Sequence, residues 1–296
     1  MSDFKNPQAD PFNPDETEAS RAFLDACRPK LEKLESIRID KLASLQRRRK
    51  IAIPIAAILT PFFGFIDYWL FFLRNSGDDS GAGLTIIVLG ALWLWVSSPK
   101  RQYAKAYKTD ILPDIARLFG SFDYDVKGKI PMEAMRPSNI VPQHTRYNSE
   151  DFFSGDYKGV SINFSEIDLK KKSGKSTVTV FKGLAVLLTQ GTKRFHGHTI
   201  MIKDQGKIGG WLKKQISGLQ RADLVDPEFE KMFDVFTTDQ TEARYLIDPL
   251  IIENLKALNL EYSGDKMMVA FYDDHVLILI GSKVNHFEPA SIHTPA

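Results

Sequence analysis

The chain has little of what disulfide-built proteins and the commonest hydrolases need. Its single cysteine, Cys27, excludes an intramolecular disulfide and a cysteine-based zinc site, and suits a reducing, cytoplasmic compartment. There is no Gly-x-Ser-x-Gly elbow and no His-Glu-x-x-His helix, and Cys27 stands far in sequence from any histidine. Neither a serine nor a cysteine nucleophile is visible. Cys27 itself reads as a small apolar residue on a helix. A formal net charge of +2 with 26% charged residues lacks the one-signed excess of a nucleic-acid binder. No cofactor-binding motif survives, so no cofactor is expected.

What the chain does have is two long apolar runs. The first, Ile51 to Leu73, has 23 residues and the second, about Ala82 to Ser98, has 17. They bracket the roughly 20 residues that a helix needs to cross a bilayer. Only RNSGDDSG separates them, so residues 51–98 read as a transmembrane helical hairpin. Lys41 and Arg47, Arg48, Arg49 and Lys50 precede it; Lys100, Arg101, Lys105 and Lys108 follow it; the loop offers Arg74 against Asp78 and Asp79. Basic residues are retained inside, which puts both termini in the cytoplasm. Trp93 and Trp95 fit an interfacial aromatic belt at the inner end. The first run starts too late and is too long for a secretory signal. A re-entrant hairpin is the alternative, favoured by the short second run and by Pro54, Pro61 and Gly64; length and flanks favour full spanning. Asp67 lies inside the first run, where a carboxylate can mark an ion path. Its neighbours Tyr68 and Trp69 belong to the headgroup level, and one acid does not make a relay.

The flanks of the hairpin read as helices. Residues 1–12 lack apolar periodicity and read as a disordered N-terminus. Asn13, Pro14 and Glu16 form a helix start, and Pro29 is expected to break or kink that helix. Within residues 13–50, Leu31, Leu34, Ile37, Leu42 and Leu45 recur at helical spacing. Ser98-Pro99 reads as the start of a second helix over residues 99–120, with Tyr103, Tyr107, Ile111, Ile115 and Leu118 as its stripe, Pro113 as a kink and Gly120 as its stop. The two stripes are expected to pair antiparallel as a cytoplasmic stalk.

Residues 121–289 read as an α+β domain, with 290–296 as a tail. Phe122 to Asn148 is irregular, with one strand at most. Tyr157 to Leu169 alternates as a strand whose phase slips at Glu166; Thr177 to Gln190 and His198 to Lys203 are the next two, joined by KKKSGKS and GTKRFHG into a meander. Ile208, Trp211, Leu212, Ile216 and Leu219 stripe a helix with Lys213 and Lys214 on another face. Asp226-Pro227 starts a further helix, VFTT is extended, and Thr238 or Asp239 caps a helix running through Leu258. Gly264-Asp265 is a turn, and MMVAFY with HVLILI closes the domain as a hairpin. Strands, then helices, then strands imply an antiparallel sheet with helices.

The segments FSGDYKGVSINFSEIDL, VFKGLAVLLTQ and DPEFEKMFDVFTTDQTEARYLIDP, set after a two-helix membrane hairpin, resemble the bacterial family known as domain of unknown function 3137. The resemblance implies a multi-pass protein of the bacterial inner membrane with a cytoplasmic α+β domain. It implies no activity and carries over no catalytic residues.

Few candidate sites remain. Gly174 to Thr177 resembles the end of a phosphate-binding loop, but Leu169 stands where the motif needs glycine and no helix follows, so nucleotide hydrolysis is rejected. His196 and His198, two apart, share one face of a strand and can share a metal if Asp273, Asp274, His275 or His286 converges on them; the plainer reading is a turn with one solvated histidine. Lys170, Lys171, Lys172 and Lys175 form a cationic tip and Trp211 an aromatic face, both suited to touching lipid. The function expected is a non-enzymatic adaptor or assembly protein that meets the lipid bilayer and other membrane proteins, with no nucleic-acid partner. A membrane-tethered metal-assisted hydrolase built on the histidine pair and a small channel or transporter subunit built on Asp67 are the alternatives.

Overall fold

The computed structural model describes residues 14–74, 83–118, 121–191, 194–203, 212, 215–222, 229, 232–261 and 266–294. The chain divides into two compact units, one made of Met1–Ile115 with Glu288–Ala296 and the other of Ala116–Phe287.

The first unit is built on α1 (Pro14–Arg74) and α2 (Gly83–Ala106). Proline at the first helical position is satisfied there, because its missing N–H has no intrahelical partner in any case. Pro29, expected to break or kink the helix, does not break it: α1 continues through Pro29, Pro54 and Pro61. Nor does Ser98-Pro99 start a helix, since Pro99 lies inside α2. Proline there removes one hydrogen bond, to the carbonyl of Trp95. Arg48 Nη1 fills that gap, donating to Trp95 O at 2.8 Å, and its guanidinium lies 5.2 Å from the Trp95 ring centre. The two helices run antiparallel, as their cross-contacts require: Arg48 with Ser98 and Asp67 with Thr85. After α2 comes a π-helical turn, Tyr107–Ile111, and then α3 (Leu112–Leu118). The widened turn falls just before Pro113, whose ring would otherwise press on the carbonyl of Thr109.

Leu34, Leu45, Tyr103 and Ile111 form the core between these helices. Ile292, from the segment expected to be a mere tail, joins them at 4% exposure. Arg38 Nη1 donates to Ile292 O at 2.9 Å while its other guanidinium nitrogens hold Glu35. Lys108 pairs with Glu288 at 2.7 Å. The C-terminal segment is therefore part of this unit's packing.

The second unit is α+β, and all its strand pairings are antiparallel. After β1 (Asp123–Asp125), α4 (Met132–Met135) and a 3₁₀ turn (Arg136–Ser138) come β2 (Arg146–Tyr157), β3 (Val160–Ser173) and β4 (Ser176–Thr189). Next are β5 (Thr199–Lys203), β6 (Gln220–Arg221), β7 (Phe233–Thr237), α5 (Gln240–Leu246), α6 (Pro249–Glu261), β8 (Met267–Tyr272) and β9 (His275–Gly281). Among the described residues the order across the sheet is β1-β2-β3-β4-β9-β8-β5-β7-β6. Of the expected meander of β3, β4 and β5, only the β3-β4 pairing holds. Between β4 and β5 the closing hairpin β8-β9 is inserted, because its strands, with six of six residues buried in β8, satisfy the most hydrophobic positions of the sheet.

The apparent slip at Glu166 is also corrected. Strand β3 keeps its alternation, with Ser165, Ile167 and Leu169 buried on one face and Phe164 packed on the other. Apolar residues occur in both phases because the sheet has a core on each side. On one side Ile167, Leu169, Leu277 and Leu279 pack with Ile130, Met135 and Ile140 and with Leu212 and Ile216. On the other Met201, Val235, Val269 and Ile280 pack with Phe229, with Ala243 and Ile247 and with Ile252 and Leu255. The irregularity lies in the neighbouring strand, where Asp151, at φ 54°, bulges out of register between Glu150 and Phe153.

Three further boundaries differ. Strand β2 begins at Arg146, at the end of the stretch read as irregular, and fills residues 149–156, to which the sequence reading assigned no element. Lys170, Lys171 and Lys172 belong to strand β3, leaving Gly174 and Lys175 as the turn. The single helix expected through Leu258 is two helices: Asp239 caps α5 by accepting from Thr241 and Glu242 N–H, and Asp248 accepts from Ile251 N–H at 2.7 Å before Pro249 starts α6. The expectations for residues 1–13, Gly120, Lys213, Lys214, Asp226-Pro227 and Gly264-Asp265 lie outside the described residues.

One glycine is indispensable to the sheet. Gly183 sits opposite Gly281 between β4 and β9, at φ 152°, and a Cβ there would lie 1.9 Å from Ile280 O. No side chain fits that approach.

Candidate functional sites

The apolar runs give the first unit an unusual surface. Ile53, Ile58, Phe62, Phe65 and Phe72 on α1, and Ile86, Ile87 and Trp93 on α2, are all more than half exposed. Contiguous apolar surface of this extent marks an interaction with lipid or protein. At one end of the belt, where Arg48 meets Trp95 and Ser98, the exposed cations Arg47, Arg49 and Lys50 stand on α1 and Lys100 and Arg101 on α2. At the other end Asp67 accepts hydrogen bonds from Thr85 N at 3.0 Å, Thr85 Oγ1 at 2.7 Å and Leu84 N at 3.3 Å. It meets the free N–H groups and the positive dipole end of α2. The carboxylate that the sequence places inside the first run, beside residues of the headgroup level, is a cap for the start of the neighbouring helix.

In the second unit, the histidine pair lies just before β5. His196 N and Gly197 N both donate to the Glu242 carboxylate, at 2.8 and 2.6 Å, and His198 N donates to Thr238 Oγ1 at 2.8 Å. The backbone of this loop is clamped to the start of α5, while the His196 ring is exposed. The His198 ring is half-buried and its Nε2 lies 3.0 Å from Ser138 O. A carbonyl only accepts, so Nε2 carries the proton. Burial pushes the His198 pKa below its ordinary value, against the smaller pulls of that carbonyl and of Asp273.

That bond is one of three. Tyr147 OH donates to Ile130 O at 3.0 Å and Tyr272 OH to Ala134 O at 2.7 Å. With His198 on Ser138, the sheet grips every fourth carbonyl of the segment that crosses its face. Burial raises the pKa of both tyrosines, so they remain donors at neutral pH. His198 is a strut in this row. Of the other residues considered as metal ligands, Asp274 Oδ1 lies 3.5 Å from His275 Nε2, His275 Nδ1 lies 3.0 Å from Thr189 Oγ1, and His286 Nε2 lies 2.8 Å from Ser282 Oγ. Among the described residues no three His, Cys, Asp or Glu side chains converge as a metal site.

Two clefts open on the second unit. The smaller, about 280 Å³, has Glu150, Glu166 and Asp168 together with Lys170 and Lys182 in its walls. Its charges answer one another, as in the 2.9 Å pair of Lys170 with Asp168. The larger, about 540 Å³, lies beside the 3₁₀ turn and includes Arg136, His144 and Lys171 in a wall without acids. The lysines expected to form one mobile tip are thus divided between ion pair, groove wall and turn. Trp211 lies outside the described residues. Its neighbours on the same stripe, Leu212 and Ile216, are buried against the sheet, so that stripe serves the core.

The fold and these surfaces define the class first: an α+β domain on a large antiparallel sheet, accompanied by two helices long and apolar enough to cross a membrane. Residues 179–296, from β4 to the C-terminus, match the family model described as Protein of unknown function (DUF3137). The match is narrower than the resemblance read from the sequence, since α1, α2 and β1 to β3 lie outside it. No curated protein and no solved structure matches the chain.

Proposed function

We propose that this is a bacterial inner-membrane protein whose α1-α2 hairpin crosses the bilayer twice, leaves both termini in the cytoplasm and tethers a domain that acts by binding, as an adaptor or assembly protein. The apolar belt carries the reading. In each helix only 6% of the most apolar window is buried, whereas a core helix of a soluble domain has its apolar stripe covered. At about 25 cal/mol per Å², leaving that belt in water is far costlier than placing it in hydrocarbon. The cations at one end of the belt agree with cytoplasmic retention of basic flanks.

Binding is favoured over chemistry because catalysis needs a nucleophile, base or metal in mutual reach, and the groups best suited to that are engaged as struts and caps. A bilayer tether raises a domain's effective concentration near other membrane proteins, which strengthens weak binding without new contacts. Alkaline extraction tests the anchor: the full chain should stay in the membrane pellet, and a chain lacking residues 51–98 should move to the supernatant. Release of the full chain would contradict the reading. Gentle solubilisation should co-purify a membrane-protein partner; a stoichiometric metal in its place, lost on changing His196, would favour the hydrolase.

A further inference from the structure

We infer that the larger groove of the second unit binds a phosphoryl group carried by a small organic molecule or a lipid headgroup. This deepens the binding reading above, and names the ligand class.

The groove is made by backbone that the sheet holds rigidly. The segment 130–138 is gripped by Tyr147, His198 and Tyr272, and it ends in Asn139 at φ 60°, a left-handed cap that turns the chain toward the edge of β3. Thr145 then fastens the returning strand: its N–H donates to Lys170 O at 2.8 Å and its hydroxyl accepts from Lys172 N at 3.1 Å. These two anchors fix Arg136 on one side and Lys171 on the other. Gln215 closes the groove from a segment pinned by buried Leu212 and Ile216.

The chemistry of the lining is one-sided. Among the described residues, neither Arg136 nor Lys171 has a carboxylate within ion-pair distance, and no acid lines the groove. His144 turns Nδ1 toward Pro142 O at 2.8 Å. That carbonyl only accepts, so Nδ1 carries the proton there. Just outside, exposed Arg146, Lys172 and Lys175 add the same sign. Cations held together without counter-charge repel one another, and an anion between them removes that cost. The smaller cleft has no such demand, because its lysines already face acids.

Charge count and shape narrow the anion. A guanidinium fork and a mobile ammonium suit the nearly two negative charges and three acceptor oxygens of a phosphoryl group better than a single carboxylate. Amides from Asn139 and Gln215 and the apolar wall of Val141 and Pro142 are left for the organic part. The volume lies within the roughly 300–1,000 Å³ of small-molecule sites.

The test uses the full chain in phosphatidylcholine nanodiscs. Pyrophosphate should bind at one equivalent by calorimetry, and R136Q/K171Q should weaken it at least tenfold, while E150Q, in the other cleft, leaves it unchanged. A second arm measures co-flotation of the nanodiscs with vesicles containing phosphatidic acid, whose headgroup is a phosphomonoester, against vesicles of phosphatidylcholine alone. Pyrophosphate binding sensitive to the double variant assigns the groove to a soluble phosphorylated ligand. Variant-sensitive capture by phosphatidic acid vesicles, without pyrophosphate binding, assigns it to a headgroup. Failure of both arms, or binding that the variants leave intact, overturns the inference. K171Q alone, at an exposed strand position, gives the same ordering if the double variant misfolds. Because alkaline extraction reads the hairpin and calorimetry reads the groove, failure of one is distinguishable from failure of the other.

Discussion

The apolar stretch of α1 and strand β8 have similar composition and opposite fates. From Ile51 to Leu73 most large side chains face outward, whereas all six residues of Met267–Tyr272 are buried. The sheet makes its own apolar interior by covering both faces; the helix pair covers only its inner seam and leaves its other apolar side chains exposed. Hydrophobicity alone therefore does not separate the two regions. Periodicity and length do: a six-residue strand is enclosed by helices from the same chain, whereas the run of 23 residues is left largely uncovered by the other described residues.

The comparison is broken most severely inside the sheet. Gly183→Ala should cost about 3 kcal/mol or more, because a Cβ would lie 1.9 Å from Ile280 O at a backbone angle that side chains rarely adopt. Thermal unfolding of the second unit should shift strongly down, while helix content from α1 and α2 in detergent is retained. Equal loss from both regions would mean that they fold as one.

A smaller effect is expected in the helical unit. Ile292→Ala removes the buried side chain of the C-terminal segment, and should weaken its docking by about 2 kcal/mol. Protease should then reach residues 288–294 faster, with the sheet unit's melting unchanged. Unaltered cleavage would show that the salt bridge of Lys108 with Glu288 and the Arg38 contact suffice.

The smallest effect is on pH dependence. The folded pKa of His198 is depressed by burial from 6.5, so the unfolded chain binds the extra proton first. Its stabilisation is fully present above the unfolded value and is lost as pH falls through the folded one. His198→Gln can keep a donor on Ser138 O without titrating, and melting of the second unit should fall less steeply on acidification. Part of the slope remains, since burial also depresses His286. An unchanged slope would remove His198 from the account.

Much of this architecture was legible because it depends on local pattern. The length of the two apolar runs, the stripe from Leu34 to Leu45 and the hairpin around Asp273 each follow from periodicity or a turn within a few residues. What escaped depends on partners distant in sequence. Pro99 reads as a helix start until Arg48 supplies the donor that Trp95 O lacks. Asp67 reads as an acid beside residues of the headgroup level until Thr85 is seen to use it as a cap. Phe164 and Ile167 read as a slipped strand until the sheet is seen to have a core on each face, one taking Phe164 and the other Ile167. His198 has no local mark of a strut: its partner, Ser138, lies 60 residues away. Nor does the sequence around Arg136 announce the groove, which exists only once Thr145 pins the chain to β3.

The account rests on the hairpin crossing the membrane with both termini on one side, and cysteine accessibility in intact cells tests this most directly. With Cys27 changed to Ser, Ser76→Cys between the two apolar runs should react with an impermeant thiol reagent added outside, and Asp10→Cys should react only after the cells are opened. Labelling of Asp10→Cys from outside, or protection of Ser76→Cys until the cells are opened, would contradict it.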